Sequence, residues 1–245
     1  MFARPFSGLF AGLMLLVPIA NGPVAESTVE GPKAVVELFT SQGCSSCPPA
    51  DALLTSLAER SDVVALAYHV DYWDYIGWED TFGDKAYSDR QRDYAKSWGS
   101  SRIFTPQMVI NGGKGVIGSK RHDVHRAIES AQLPLTVSLQ KHNDMLSVTV
   151  PADAQQFDAT IWLVTYIDRA DVSIESGDNA GKTVGYTHVV NGRQVLGMWE
   201  AEAGAHLKLP ISEIMSNGSS GVAVIVQQER NDLPGPIIGA AAYEL

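Results

Sequence analysis

Residues 33–40 read Lys-Ala-Val-Val-Glu-Leu-Phe-Thr, an apolar and β-branched run that predicts a buried strand. A tight loop over 41–47 follows, and beyond Pro48 the residues Leu53, Leu54 and Leu57 fall on one face at helical spacing. Proline at the start of that helix is tolerated, because first-turn amides have no intrahelical partner. Residues 62–70, Asp-Val-Val-Ala-Leu-Ala-Tyr-His-Val, return to strand texture. Strand, helix and strand at these lengths predict a parallel unit with a right-handed crossover. After a polar, aromatic stretch over 71–84, residues 85–98 predict a helix rich in Arg, Lys, Gln and Tyr. Residues 107–111 and 116–119 predict a hairpin around Gly112-Gly113-Lys114-Gly115, and Val124, Ala127, Ile128 and Ala131 predict a helix over 121–132.

From Pro134 the period changes. Residues 135–139, 146–150, 160–167, 184–190, 195–199, 222–227 and 237–243 are short strand-like runs separated by turn residues, with Asn191-Gly192 as a hairpin signal. No amphipathic helix is required there, and many short strands predict a sandwich or barrel-like packing. The pattern therefore predicts a small α/β domain over 32–132, in the element order of redox domains, followed by an all-β, sandwich-like domain over 133–245.

Residues 1–25 stand apart: Arg4, an apolar run over 6–19, then small and turn-prone residues. This is the pattern of a secretory signal peptide, with Ala20 and Ala25 as cleavage candidates and an uncleaved amino-terminal anchor as the alternative. It predicts a secreted or periplasmic protein with no membrane anchor after cleavage. The 245 residues are 45% hydrophobic, which excludes intrinsic disorder. With 18 Lys+Arg against 28 Asp+Glu, a net charge of −10 leaves no electrostatic footprint for nucleic acid.

Two cysteines are too few for a disulfide scaffold or a four-thiolate zinc site, so any thiol chemistry rests on Cys44 and Cys47. Cys44-Ser45-Ser46-Cys47 sits between a predicted strand and a predicted helix, where the helix terminus favours a thiolate. Cys44, at the loop end, is expected to be the exposed nucleophile, and Cys47 the thiol that resolves the mixed disulfide. A static disulfide is the plainer reading. So short a loop constrains the unfolded chain little, which weakens it.

The stretch Glu37-Leu38-Phe39-Thr40-Ser41-Gln42-Gly43-Cys44-Ser45-Ser46-Cys47-Pro48 resembles the active-site segment of thioredoxin-fold proteins, and is closer to glutaredoxins in lacking a Trp before the first Cys. Ile103-Phe104-Thr105-Pro106-Gln107 resembles their Thr-Pro-Gln element. With 68–78, 90–95, 177–183 and 186–190 included, the mature chain resembles a family of bacterial secreted or periplasmic thioredoxin-like proteins defined as a domain of unknown function. The resemblance implies a cis Thr105-Pro106 bond beside the dithiol, with Thr105 and Pro106 meeting an extended substrate, and Glu37 as a proton acceptor for Cys47.

Asp71-Tyr72-Trp73-Asp74-Tyr75-Ile76-Gly77-Trp78 follows a strand's carboxyl end, the ligand side of open α/β sheets. Tyr72 and Trp73 are candidates for a substrate wall, or equally for an aromatic plug between the two halves. Arg90, Arg92 and Lys96 read as a solvated face, and Gly177-Asp178-Asn179 as a turn. The expected activity is thiol–disulfide exchange with a protein or small thiol, needing no cofactor. The alternative is a non-catalytic binding protein in which Cys44, Cys47 and His69 hold copper or zinc.

Overall fold

The computed structural model describes residues 1–2, 31–215 and 218–244, so the expected signal segment lies outside the described residues apart from its first two. Strand β1 (Ala34–Thr40) is buried along its whole length, as a mostly apolar strand in a sheet's interior is, and Glu37 is the charged residue within it. It pairs in parallel with β2 (Val63–His69), from Ala34 opposite Val63 to Thr40 opposite His69. On its other side it pairs antiparallel with β3 (Gln107–Ile110), which returns as β4 (Val116–Ile117). Helix α1 (Pro48–Ala58) makes the crossover between β1 and β2.

Alternation along β1 sorts its side chains to the two faces. Ala34, Val36 and Leu38 meet Leu53, Leu54 and Leu57 of α1, together with Val124 and Ile128 of α3 (Arg121–Glu129). Val35 and Phe39 face the other way, toward Tyr94 of α2 (Lys85–Ser97) and the residues Ala223 and Ile225 far down the chain. Asp84 caps α2 by accepting from the Ala86 amide at 2.7 Å.

The sheet does not end at residue 132. After β5 (Leu135–Thr136), β6 (Ser138–His142) and β7 (Met145–Val150) come two long strands, β8 (Ala159–Ser173) and β9 (Thr183–Trp199). Then follow β10 (Ala205–Pro210), the single turn α4 (Ile211–Ile214), β11 (Gly221–Arg230) and β12 (Leu233–Glu244). β9 joins β2 in parallel where Val189 lies opposite Ala67, giving a nine-stranded sheet of order β4-β3-β1-β2-β9-β8-β11-β12-β5. The three-stranded sheet β10-β7-β6 packs over its far part, with Leu146, Val148, Ile161, Leu163, Val224 and Trp199 between the layers. Two successive domains were the expectation; the structure has one sheet whose flanking layer changes from helices to strands. The length of β9, at 17 residues, lets one strand serve both regions.

Asn191-Gly192 forms no hairpin. Both residues lie inside β9, where the register against β8 jumps between Thr165 and Tyr166 and leaves Asn191 as an extra residue. Its Oδ1 accepts from the hydroxyls of Thr165 and Ser219, each at 2.9 Å. The halves also touch at Gly112, whose φ of +68° and closeness to the Gly235 carbonyl exclude a side chain. Among the described residues no helix is long and apolar enough to cross a membrane.

Candidate functional site

β1 ends at Thr40, and the loop after it is wound tightly: the Cys44 amide donates to the Ser41 carbonyl, and the Cys47 amide to the Cys44 carbonyl, both at 3.1 Å. Cys44 and Cys47 are joined in a disulfide with Cα atoms 5.4 Å apart. Ser45 and Ser46 are exposed, but both cysteines are 0% exposed, which corrects the expectation of an accessible Cys44. A second correction concerns the thiolate. Pro48 and Pro49 open α1 without N–H groups, and the next amides, of Ala50 and Asp51, donate to the Cys47 carbonyl. The helix end thus keeps its dipole but few free donors.

The disulfide is covered by two segments from elsewhere in the chain. In the first, a β-carbon on Gly43 would meet Trp73 at 3.1 Å and Ile76 at 3.3 Å, so the 3₁₀ turn Asp74–Ile76 and its cap Trp73 press on the dithiol loop. The Trp73 indole N–H donates to Thr105 Oγ1 at 2.7 Å, tying this cover to the cis Thr105-Pro106 bond. The Pro106 carbonyl in turn accepts from Gly118, where a β-carbon would lie 3.2 Å from Ala50 of α1. Tyr72 donates to Gln91 of α2, and Trp78 to Gln42 Oε1. Tyr75 stacks on Trp73 yet is 82% exposed. Trp73 thus packs on the dithiol loop, and Trp78 packs with Ile174 and Tyr186 of the second half, the place of an aromatic plug between the halves.

The second covering segment centres on Asn179, which turn preferences alone did not mark. Its buried side-chain amide donates to the carbonyls of Gln42 at 2.8 Å and Cys44 at 3.0 Å, while Lys182 Nζ donates to its Oδ1.

A buried protic cluster adjoins the dithiol loop. Asp51, one helical turn after Cys47, accepts from Thr40 Oγ1 at 2.7 Å, and its Oδ2 has no hydrogen-bond partner. His69, at the end of β2, holds Asp80 through Nδ1 at 2.8 Å, and its Nε2 also lacks a partner. Asp80 accepts the Gln42 amide at 2.8 Å, which links the cluster to the dithiol loop. Burial pushes the Asp51 carboxyl up to about 7, against the hydrogen bond from Thr40 and the opposing charge of His69. Burial acts on Asp80 as well, but His69 and the amides of Gln42 and Phe82 outweigh it and hold Asp80 below its ordinary value.

Glu37 takes no part in this cluster. The odd positions of β1 face α2, and Glu37 accepts from Arg90 Nε at 2.8 Å and from the Tyr94 hydroxyl. Arg90 also donates to Gln227 of β11, so the residue that read as a solvated cation is a buried tie between the halves. Arg92 and Lys96 do lie on the helix surface, paired with Asp89 and Asp93. The metal set of Cys44, Cys47 and His69 is not assembled here, because the two sulfurs are bonded to each other. Among the described residues the three potential ligands that converge are Asp168, His188 and Glu244.

Comparison with known proteins gives the following. No curated protein matches the chain. The X-ray crystal structure of a protein from Agrobacterium tumefaciens is 32% identical and matches at a TM-score of 0.79, covering 88% of this chain and 95% of that one. A superoxide reductase from Giardia intestinalis is 10% identical and covers 46% of this chain and 100% of its own, at a TM-score of 0.25 that carries no argument. A family model matches residues 35–227, a range that includes the dithiol, both covering segments and the protic cluster. The chain belongs to that family, described as a protein of unknown function (DUF1223).

Proposed function

We propose that this protein is an exported thiol–disulfide oxidoreductase whose β4-β3-β1-β2 region and helices form a thioredoxin-like frame around Cys44 and Cys47. The observation that carries the reading is the buried Asp51–His69–Asp80 cluster tied to the dithiol loop, with unpartnered atoms on Asp51 and His69. A static disulfide has no use for buried, unsatisfied acid–base groups, each of which costs free energy. An exchanging dithiol needs a proton donor and acceptor away from bulk water.

The oxidised form reacts as follows. A substrate thiolate attacks Cys44 Sγ, forming a mixed disulfide and breaking the Cys44–Cys47 bond. Cys47 leaves as a thiolate and takes a proton from Asp51, which is partly protonated near neutral pH. A second substrate thiolate then attacks the substrate's own sulfur and releases Cys44. The substrate is oxidised to a disulfide and the protein is reduced to a dithiol; the reverse sequence reduces a substrate. Protein or small-molecule thiols are the substrate class, and export follows from the pattern of residues 1–25. Because both sulfurs are covered, exchange requires the Trp73 and Asn179 segments to part.

Substitution Cys47→Ser tests this directly. Mixed disulfides should accumulate through Cys44 in cells that express the variant. An absence of any adduct, together with wild-type protein that does not catalyse disulfide reduction or formation, would overturn the reading.

A further inference from the structure

We propose that Asp168, His188 and Glu244 bind a divalent transition-metal ion of the zinc type, at a site separate from the dithiol. One ligand atom of each lies within 4.8 Å of the others. Strand pairing brings them together. Asp168 and His188 come from β8 and β9 between the pairs Ile167–Val189 and Arg169–Thr187. Glu244 lies two strands away on β12, opposite Gly221, which in turn lies opposite Tyr166 of β8. A β-carbon on Gly221 would collide with the Tyr166 ring, so the glycine makes room for that ring, which packs against His188.

The histidine supplies the second, independent observation. His188 is 9% exposed, and its Nδ1 lies 2.9 Å from the Ala65 carbonyl. A carbonyl only accepts, so Nδ1 carries the proton and Nε2 is turned toward the carboxylates. This is the arrangement by which a backbone carbonyl orients a metal-binding imidazole. Nε2 and Asp168 Oδ1 are 3.6 Å apart, too far for a hydrogen bond. Two donors on one tetrahedral ion, each about 2.1 Å from it, stand about 3.4 Å apart. The spacing is therefore that of two ligands to a shared cation. The Tyr166 ring, with its centroid 4.5 Å from that of His188, forms one wall. A groove of about 730 Å³ lined by Tyr166, His188 and Glu244 gives access.

One imidazole and two carboxylates suit zinc or manganese; calcium and magnesium favour all-oxygen sets, and copper(I) favours thiolates. Three protein ligands leave a fourth position facing the groove, as in open zinc sites. Bound metal would also fasten the end of β12 to β8 and β9.

Zinc alone serves as the probe, with the oxidised, tag-free mature protein, by calorimetric titration and by metal analysis after gel filtration. One zinc per chain is expected, with affinity lowered at least tenfold in Asp168→Asn and in His188→Gln. Saturating zinc should raise the wild-type Tm and raise that of those variants less. Asp168 is exposed, so its variant keeps the fold even if His188→Gln does not. The Cys44→Ser/Cys47→Ser double variant should retain its zinc. Failure of the wild type to retain zinc, equal retention in Asp168→Asn, or loss in the cysteine double variant would each overturn the proposal.

Discussion

The side-chain amide of Asn179 donates 3.0 Å to the carbonyl of Cys44, so a loop in the second half of the chain fastens the backbone of the dithiol in the first. The same amide holds Gln42, and Lys182 holds the Asn179 oxygen. The β-rich half therefore helps to hold the dithiol loop in place.

Substitution Asn179→Ala removes both donors and leaves two buried carbonyls unpaired, at a cost of about 1–3 kcal/mol. The functional effect should exceed the structural one. Reduction of the native disulfide by a small thiol should become several-fold faster, because loosening this segment uncovers Cys44. Stopped-flow reduction of wild type and variant, at a temperature where both are folded, measures it. Equal rates would show that the cover opens elsewhere.

Asp51 carries a pH signature. Its carboxyl stands at about 7 in the folded protein against 3.8 ordinarily, so the folded state binds this proton more tightly than the unfolded chain. That contribution is fully present below about pH 4 and is lost as pH rises through about 7. Substitution Asp51→Asn removes the dependence while keeping an acceptor for Thr40. The oxidised variant should gain on wild type by as much as about 4 kcal/mol above pH 7 and by nothing below about pH 4. Urea unfolding at a series of pH values reads this difference. Parallel curves would place the titration elsewhere.

Glu37 should behave differently. Its carboxylate pairs with Arg90 on the α2 face, away from α1. Substitution Arg90→Met leaves a buried, uncompensated charge and should destabilise by about 3–5 kcal/mol, much of it recovered in the Glu37→Leu/Arg90→Met double variant. Glu37→Gln should leave the pH profile of exchange unchanged, whereas Asp51→Asn should flatten it near neutrality. A profile altered by Glu37→Gln alone would reverse these roles.

Local texture made much of the first half legible. The buried run of β1, the α1 leucines and the dithiol between them can be read from residue spacing, and the Thr105-Pro106 bond is cis. What stayed hidden depends on partners distant in sequence. An Asp in a helix's first turn is ordinarily a solvated acid favoured by the dipole, and only the folded structure shows that Asp51 is buried and bonded to Thr40, 11 residues away. Arg90 reads as surface because its partners, Glu37 and Gln227, lie 53 and 137 residues away. Asn191-Gly192 has the chemistry of a turn, but β8 runs on beside it and makes it a bulge. Asn179 reads as a turn residue because the carbonyls it holds are 135 and 137 residues distant.

Equilibration of the native protein in glutathione buffers of graded potential, with the free thiols of Cys44 and Cys47 counted by mass spectrometry after alkylation, separates a reagent from a staple. The pair should open and close reversibly as one two-electron couple within the glutathione range of roughly −180 to −260 mV. A disulfide that stays closed in the folded protein down to about −300 mV, and opens only with unfolding, would show a structural link and contradict the exchange function.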